Sequence, residues 1–253
     1  AGRAGRAGRR RGGLSRLRRP VGCLSLRGAH VLGRVDRRRG GRGQSEASSR
    51  GGWVGRPGSV GVSDGGPTGL ELHRLRTIDD RQAADITFTD VRLPGDALIA
   101  DENAIEILEK AWDTATAAVV SEAVGLMRKV FTDTVEYSKQ REQFGVPIGS
   151  FQVLQHRMVD MFIAHQEALS LMQHLSLSLS EGEAGLSRLA SGAKSKIGYA
   201  GKFVADQAVQ LHGGMGMTDE MAIGHYFKRL TALQFEFGST DHHISRYGRL
   251  TTR

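Results

Sequence analysis

Two long helical patterns, separated by a short break, constrain this chain more than any other feature. Apolar or small side chains recur at steps of three and four residues, the spacing that places them on one face of an α-helix. The first set is Ile105, Leu108, Trp112, Ala115, Val119, Leu126 and Val130, and the second is Phe151, Leu154, Met158, Phe162, Ala168, Met172, Leu175 and Leu179. We therefore expect one helix over residues 101–140 and another over residues 150–180.

The rest of the C-terminal sequence continues the helical pattern. A third apolar face consists of Leu186, Leu189, Ala193, Ile197, Ala200, Val204, Ala208 and Leu211. A short helix from about Asp219 to Leu233 and a last one from about Ser239 to Arg249 follow. Three long amphipathic helices and a short pair predict a mainly α fold, an antiparallel helical bundle over residues 101–253.

A break separates the first two helices. Gly145, Pro147 and Gly149 interrupt the helical pattern. Ser150 is in position to cap the next helix. Arg141 thus lies at a helix–helix corner, where its planar guanidinium suits an anionic ligand such as a pyrophosphate. An ordinary helical hairpin with solvated polar residues is the alternative.

Residues 1–66 differ in composition from the rest of the chain. They contain 16 Arg, no Lys and three acidic residues, a net charge of +13, and they hold 18 of the 34 glycines. The remainder, with 19 basic and 24 acidic residues, has a net charge of −5. A segment so poor in apolar side chains cannot offset its conformational entropy by burial, so we expect disorder. The abrupt change also suggests that this stretch is GC-rich DNA translated out of frame.

The basic stretch raises nucleic-acid binding as one function to consider. Arg-Gly-Gly steps at Arg11, Arg39 and Arg50 are typical of segments that follow a nucleic-acid backbone. Trp53 is the sole aromatic residue between positions 1 and 66, so bases would have little to stack on. A nucleic-acid partner is therefore not favoured.

Residues 67–100 have the alternation of β-strands. The runs 70–75 and 85–93 alternate apolar and polar side chains, and the second ends at Pro94-Gly95. Cys23 is the single cysteine, so no internal disulfide is possible. No apolar run reaches the roughly 20 residues that span a bilayer, and no hydrophobic signal core is present, so we expect a cytoplasmic protein without a membrane partner.

Two motifs carry a resemblance to one family. Arg141-Glu142-Gln143-Phe144-Gly145 before a Phe151-Gln152 helix start, and the later run Gln210-Leu211-His212-Gly213-Gly214-Met215-Gly216, resemble the C-terminal domain of flavin-dependent acyl-CoA dehydrogenases in order and separation. The resemblance covers roughly residues 68–250. It implies that residues 67–100 are the remnant of a middle β domain. The first part of that domain and an N-terminal helical domain have no counterpart, so a fragment is expected.

The resemblance also implies the cofactor FAD and the residues that hold it. One set of positions similar to flavin contacts in the family is Arg141 (on the diphosphate), Gln143, Phe144, Phe151 and Gln152. The resemblance implies that a second set, Gln210, Gly213 and Gly214, contacts the flavin across a subunit interface. Without the resemblance, the glycine-rich run indicates only an interhelical turn, after which Thr218 caps the next helix. Asp113 resembles the family's acidic position near the coenzyme A moiety, and a solvated helix face is its alternative.

The implied reaction is α,β-dehydrogenation of an acyl-CoA thioester, in which a carboxylate removes the α proton and the flavin accepts the β hydride. The family's base is a Glu in an aromatic-Glu-Gly-Thr motif before the last helix. Alignment on Arg246 places Ser239 at that position, and a three-residue shift places Glu236 there. A minority of members place the base near the equivalent of Ala115, which cannot accept a proton. Glu236 is therefore the predicted base, with a helix-end carboxylate as the alternative.

Other chemistries have less support. His242 and His243 point about 100° apart on a helix and have no further Cys or His cluster beside them, so no metal site is expected. Ser195 and Ser239 lack a Gly-x-Ser-x-Gly context, so a hydrolase is unsupported.

Three functional hypotheses follow. The first is a fragment of an FAD-dependent acyl-CoA dehydrogenase, inactive alone, which assembles as a dimer of dimers and passes electrons to an electron-transferring flavoprotein. The second is a non-catalytic partner subunit that completes the flavin site of a heteromeric enzyme. It is suggested because the Phe-Gly-x-x-Asp-His-His form at 237–243 resembles a branch that includes bacterial heterotetramers acting on bulky acyl-CoAs, such as steroid side-chain thioesters. The third is an Arg/Gly-tailed nucleic-acid binder.

Overall fold

The computed structural model describes residues 21–25, 32–34, 51–53, 70–89 and 104–252. The chain divides into two compact units, residues 1–76 with 81–105 and residues 77–80 with 106–253. The prediction of disorder over residues 1–66 falls mostly outside the described residues. The described parts of residues 1–66 form three short strands, whereas the sequence predicted no regular structure in this stretch.

The first unit contains five of the described β-strands. Strands β1 (Val21–Ser25), β5 (Gln82–Phe88) and β4 (Leu70–Arg76) form an antiparallel sheet in the order β1-β5-β4. Strands β2 (Leu32–Arg34) and β3 (Gly51–Trp53) form a separate pair. The first predicted strand is confirmed. The second begins at Gln82 rather than Asp85, because Ala83 and Ala84 are buried and paired within the sheet, and residues 90–93 lie outside the described part.

The second unit is a helical bundle. Its helices are α1 (Ala104–Gln140), α2 (Gln152–Glu181), α3 (Leu186–His212), α4 (Ala222–Leu233) and α5 (Thr240–Thr251). The predicted helices are confirmed within a few residues at their ends. A two-stranded hairpin, β6 (Glu142–Gln143) with β7 (Val146–Pro147), and a 3-10 turn (Ile148–Ser150) connect α1 to α2. A second 3-10 segment, Gly213–Met217, follows α3.

The core of this unit is shared among α1, α2, α3 and α4. Met127, Met161, Leu175, Ile197 and Leu230 are among its largest fully buried side chains. Helix α3 contacts α2, α4 and α5, so its apolar side chains meet several neighbours at once. No described helix combines the length and the apolar character that crossing a bilayer requires.

Two predicted helix caps differ from the structure. Helix α2 begins after Phe151, which makes no side-chain cap, while the Ser150 hydroxyl donates to the carbonyl of Pro147 instead. Helix α4 begins at Ala222 rather than near Asp219, because the Thr218 hydroxyl donates back to Met215 within the preceding 3-10 segment. In both places a local turn uses the hydroxyl that the sequence pattern assigned to the following helix.

Gly216 allows the close return of the chain after α3. A Cβ atom at this position would lie 2.9 Å from the carbonyl oxygen of Val209 and 3.0 Å from the Cβ of His212. We expect Gly216→Ala to lower the free energy of unfolding by about 1–3 kcal/mol, because the helix backbone must move to admit the methyl group. Gly214→Ala is the matched control, since nothing lies within 4 Å of its Cβ position. Equal urea midpoints for the two variants would contradict this account.

Candidate functional site

The α1–α2 hairpin presents the first set of predicted flavin contacts to solvent. Phe144 and Gly145 both have positive φ, 57° and 80°, which turns the chain between β6 and β7. Phe144 is 93% exposed, and its ring meets the Phe151 ring edge-on, with centroids 6.2 Å apart. Arg141, Gln143 and Gln152 are exposed beside these rings. Aromatic and polar groups are therefore available together at this corner.

Hydrogen bonds and close packing fix the hairpin to the end of α1. The amide of Ile148 donates to the carbonyl of Arg141 at 2.8 Å, and Gln155 donates to the carbonyl of Gly149 at 2.8 Å. Gly149 lies against α1, where an added Cβ would be 3.0 Å from the carbonyl oxygen of Ser138. The exposed side chains therefore project from a rigid backbone.

The glycine-rich segment presents the second set. Gly213 has a φ of 59°, and neither it nor Gly214 has an atom within 4 Å of its Cβ position. Both glycines and Gln210 are exposed. The backbone can thus approach a ligand closely here.

A stacked pair of rings brings the two sets to the same end of the bundle. Tyr137, one turn before Arg141, stacks on His212, immediately before Gly213, with centroids 4.2 Å apart. The Tyr137 hydroxyl also donates to the carbonyl of His212 at 3.4 Å. Burial lowers the pKa of His212, so the ring is neutral at physiological pH. The two predicted flavin segments are therefore neighbours in the folded chain.

Asp113 is buried rather than solvated, with 2% of its surface exposed. Its carboxylate accepts hydrogen bonds from Arg246 at 2.6 Å and from the Ser187 hydroxyl at 2.5 Å. Arg246 also donates to Ser191 at 3.1 Å. The alternative of a solvated helix face does not hold, and Asp113 joins α1, α3 and α5 through these bonds.

Glu236 lies in the connection between α4 and α5 and is paired with Arg229. The guanidinium donates to Glu236 at 2.5 and 3.4 Å, to Glu122 at 2.6 and 2.7 Å, and to Asp79 at 2.8 Å. Burial alone lowers the pKa of Arg229, but the hydrogen bonds to Glu122 and Glu236 outweigh it and raise the pKa. The predicted base therefore has a permanent cation as its neighbour.

Ser239, the alternative base position, is the N-cap of α5. Its hydroxyl accepts a hydrogen bond from the amide of His242 at 3.2 Å. His242 packs near Trp112, with ring centroids 6.4 Å apart, and burial lowers its pKa. His243 is fully buried and bonds to the Phe237 carbonyl, and burial lowers its pKa to about 4. Among the described residues, no group of three or more His, Cys, Asp or Glu is arranged to hold a metal ion.

The residues at the end of the bundle fit a dinucleotide flavin. In the described part of the chain no carboxylate pairs with Arg141, so its guanidinium is available to a phosphate. Phe144 offers an exposed ring, and the Gly213–Gly214 backbone is open to close approach. This donor set suits an anionic ligand with an aromatic part.

The comparisons with known proteins identify the family. The model of the acyl-CoA dehydrogenase C-terminal domain matches residues 105–250, so the chain belongs to the acyl-CoA dehydrogenase family. The chain is similar to acyl-CoA dehydrogenase IpdE2 of Mycolicibacterium smegmatis, with 41% identity over 118 residues, which is 46% of this chain and 36% of that protein. It is also similar to the caffeyl-CoA reductase-Etf complex subunit CarC of Acetobacterium woodii, with 26% identity over 66% of this chain and 44% of that protein.

A solved structure has the same fold. Butyryl-CoA dehydrogenase from Megasphaera elsdenii superposes with a TM-score of 0.69 and 25% identity, over 75% of this chain and 50% of that chain. The chain thus spans between about a third and a half of the length of the relatives that it matches. The predicted family and the predicted helical fold are confirmed.

Sequence analysis missed two buried cations. Lys194 is 2% exposed and Arg229 is 8% exposed. Helical spacing could have identified Lys194, because it shares one face of α3 with Ala190, Ile197 and Gly201. Arg229 gave no such signal, since its partners Glu122 and Asp79 lie more than a hundred residues away in sequence.

Removal of Arg229 should cost stability because three carboxylates then lose their counter-ion. We expect Arg229→Met to lower the free energy of unfolding by about 2–4 kcal/mol, as in other partly buried ion pairs. Lys228→Met is the matched control on the same helix, because its pair with Asp219 is exposed and such pairs contribute about 0–1 kcal/mol. Urea unfolding measures both, and a small loss in Arg229→Met would contradict this role.

Proposed function

We propose that this protein catalyses the α,β-dehydrogenation of an acyl-CoA thioester and that this chain supplies part of its FAD site. The observation that carries the proposal is the Tyr137–His212 stack, which brings two exposed segments with flavin-like sequence motifs to one end of the bundle. Membership of the family supports the same reaction class. Because the chain spans only part of its relatives, the activity of the whole protein is part of the proposal.

The chain's own residues would hold the cofactor as follows. Arg141 pairs with the diphosphate, and the exposed ring of Phe144 and the half-buried ring of Phe151 pack on the flavin or its adenine. Gln143 and Gln152 donate hydrogen bonds beside them. Gln210, Gly213 and Gly214 contact the flavin of a neighbouring subunit through the backbone and one amide. When bound, FAD supplies the acceptor for the β hydride.

Proton removal falls to the connection between α4 and α5. Glu236 is the carboxylate in this connection, and its side chain is 26% exposed, so it retains access from outside. Asp113 would lie near the coenzyme A moiety, where its hydrogen bonds to Ser187 and Arg246 hold the start of α3 and the middle of α5 in place.

The proposed assembly is a dimer of dimers with an electron-transferring flavoprotein as partner. Helix α2 supports association, because it exposes the large apolar side chains of Val153, Val159, Phe162 and Ile163 by 46–63%. The Etf complex named for the Acetobacterium relative supports the choice of electron acceptor.

Flavin binding is the first test of the proposal. We expect the protein expressed from its intact gene to bind FAD, with an absorbance spectrum of a bound flavin. Arg141→Gln should weaken binding roughly 10- to 100-fold, since a hydrogen bond to a charged group contributes about 1.5–3 kcal/mol. Arg188→Gln, which changes an exposed arginine on α3, is the control. Absence of FAD binding by the unaltered protein would overturn the proposal.

The role of Glu236 can be separated from its ion pair. Glu236 and Glu122 both accept hydrogen bonds from Arg229. If Glu236 takes the α proton, Glu236→Gln should lower acyl-CoA turnover by about 10²- to 10⁴-fold, the usual contribution of a general base. Glu122→Gln removes a partner of the same guanidinium but no base, so its loss should be much smaller. Equal losses in the two variants would assign Glu236 to the ion pair alone.

A further inference from the structure

A single buried lysine joins both ends of the connection between α4 and α5, here called the α4–α5 corner (residues 234–239). Lys194 lies on α3 with 2% of its surface exposed. Its ammonium donates hydrogen bonds to the carbonyl oxygens of Leu233 at 2.9 Å, Gln234 at 3.1 Å and Gly238 at 3.2 Å. An ammonium group has three donors, so all three are used.

The three acceptors belong to two different parts of the backbone. Leu233 and Gln234 provide carbonyls at the C-terminal end of α4, which would otherwise lack partners in the helix. Gly238, with a φ of 111°, immediately precedes Ser239, the N-cap of α5. One side chain therefore fixes where α4 ends and where α5 begins.

We propose that Lys194 is a positioning residue for the dehydrogenation, because its ammonium group holds the α4–α5 corner that carries Glu236 and Ser239. The reaction in this statement rests on the proposed function above. The positioning itself does not depend on which of the two candidate positions takes part in proton removal, since the bonds to Lys194 flank Glu236 and the last of them is made by Gly238, directly before Ser239.

An aromatic contact makes the position of the corner measurable. Phe237, inside the corner, packs edge-on against Trp112 of α1, with ring centroids 5.9 Å apart. The chain contains two tryptophans, Trp53 and Trp112, so Trp53→Phe leaves a single fluorescent reporter beside the corner. Its emission depends on the Phe237 contact and needs neither flavin nor substrate.

The ammonium can be switched by pH. Burial lowers the pKa of Lys194 to about 8, although Glu236 opposes the change. The corner is therefore held by three donors below this pH and loses one above it. The charged or titratable groups that act on Lys194 or on the two histidines beside it are Glu236, with its partner Arg229, and His242, His243, Arg246 and Arg249. The two histidines, with lowered pKa values, are neutral above pH 7.

The experiment is a pH titration of Trp112 fluorescence and of its quenching by acrylamide in the Trp53→Phe background of the full chain. We expect a transition with its midpoint near pH 8, from a shielded to a more accessible ring. Lys194→Met should abolish the transition and give the accessible signal throughout. Lys194→Arg should abolish it as well, because a guanidinium does not titrate in this range. Lys196→Met, an exposed lysine of α3 paired with Glu167, should retain it.

Two results would overturn the proposal: a Trp112 ring in Lys194→Met that is as shielded as in the unaltered corner, or a transition that persists in Lys194→Met or Lys194→Arg. Lys194→Arg keeps the positive charge and decides the question if Lys194→Met does not fold. In the flavin-loaded enzyme, turnover should fall above pH 8 with the same midpoint and lose this dependence in Lys194→Arg. Because the fluorescence needs no cofactor, its outcome is independent of whether the proposed reaction is correct.

Discussion

The C-terminal end of α4 and the corner that follows it depend on the hydrogen bonds of Arg229. One guanidinium on α4 meets Glu122 of α1, Glu236 of the α4–α5 corner and Asp79 of residues 77–80, all within the second unit. Three carboxylates around one cation repel one another unless the cation stays between them. Burial raises the pKa of Asp79, but its bonds to Thr77 and Arg229 outweigh this and lower it, which keeps the carboxylate ionised.

The α4–α5 corner is thus held from two sides by two cations. Arg229 fixes the side chain of Glu236, whereas Lys194 fixes the backbone on either side of it. Side-chain and backbone constraints of this kind are complementary, because neither alone determines both the position of a carboxylate and its direction. A group that must meet a substrate atom at a defined distance requires both.

The sequence predicted the helices well because burial of one face leaves a periodic signal in a single stretch of chain. It predicted helix starts less well, since Ser150 and Thr218 could bond either forward or backward and the choice depends on the local turn. The candidate site likewise has one part that the sequence predicted and one part that it did not. The segments around Arg141 and Gly213 carry motifs, but the Tyr137–His212 stack and the Arg229 contacts join residues far apart in sequence, and no local pattern encodes them.

The left-handed backbone at Phe144 has a consequence for the engineering of this protein. A bulky residue with a φ of 57° costs roughly 1–2 kcal/mol relative to glycine, and its ring gains little from burial because 93% of it is exposed. A search for thermostable variants would therefore be drawn to glycine or asparagine at this position. Such a search would discard the ring that the family resemblance assigns to the flavin, and heat tolerance alone would be a misleading guide to improving this chain.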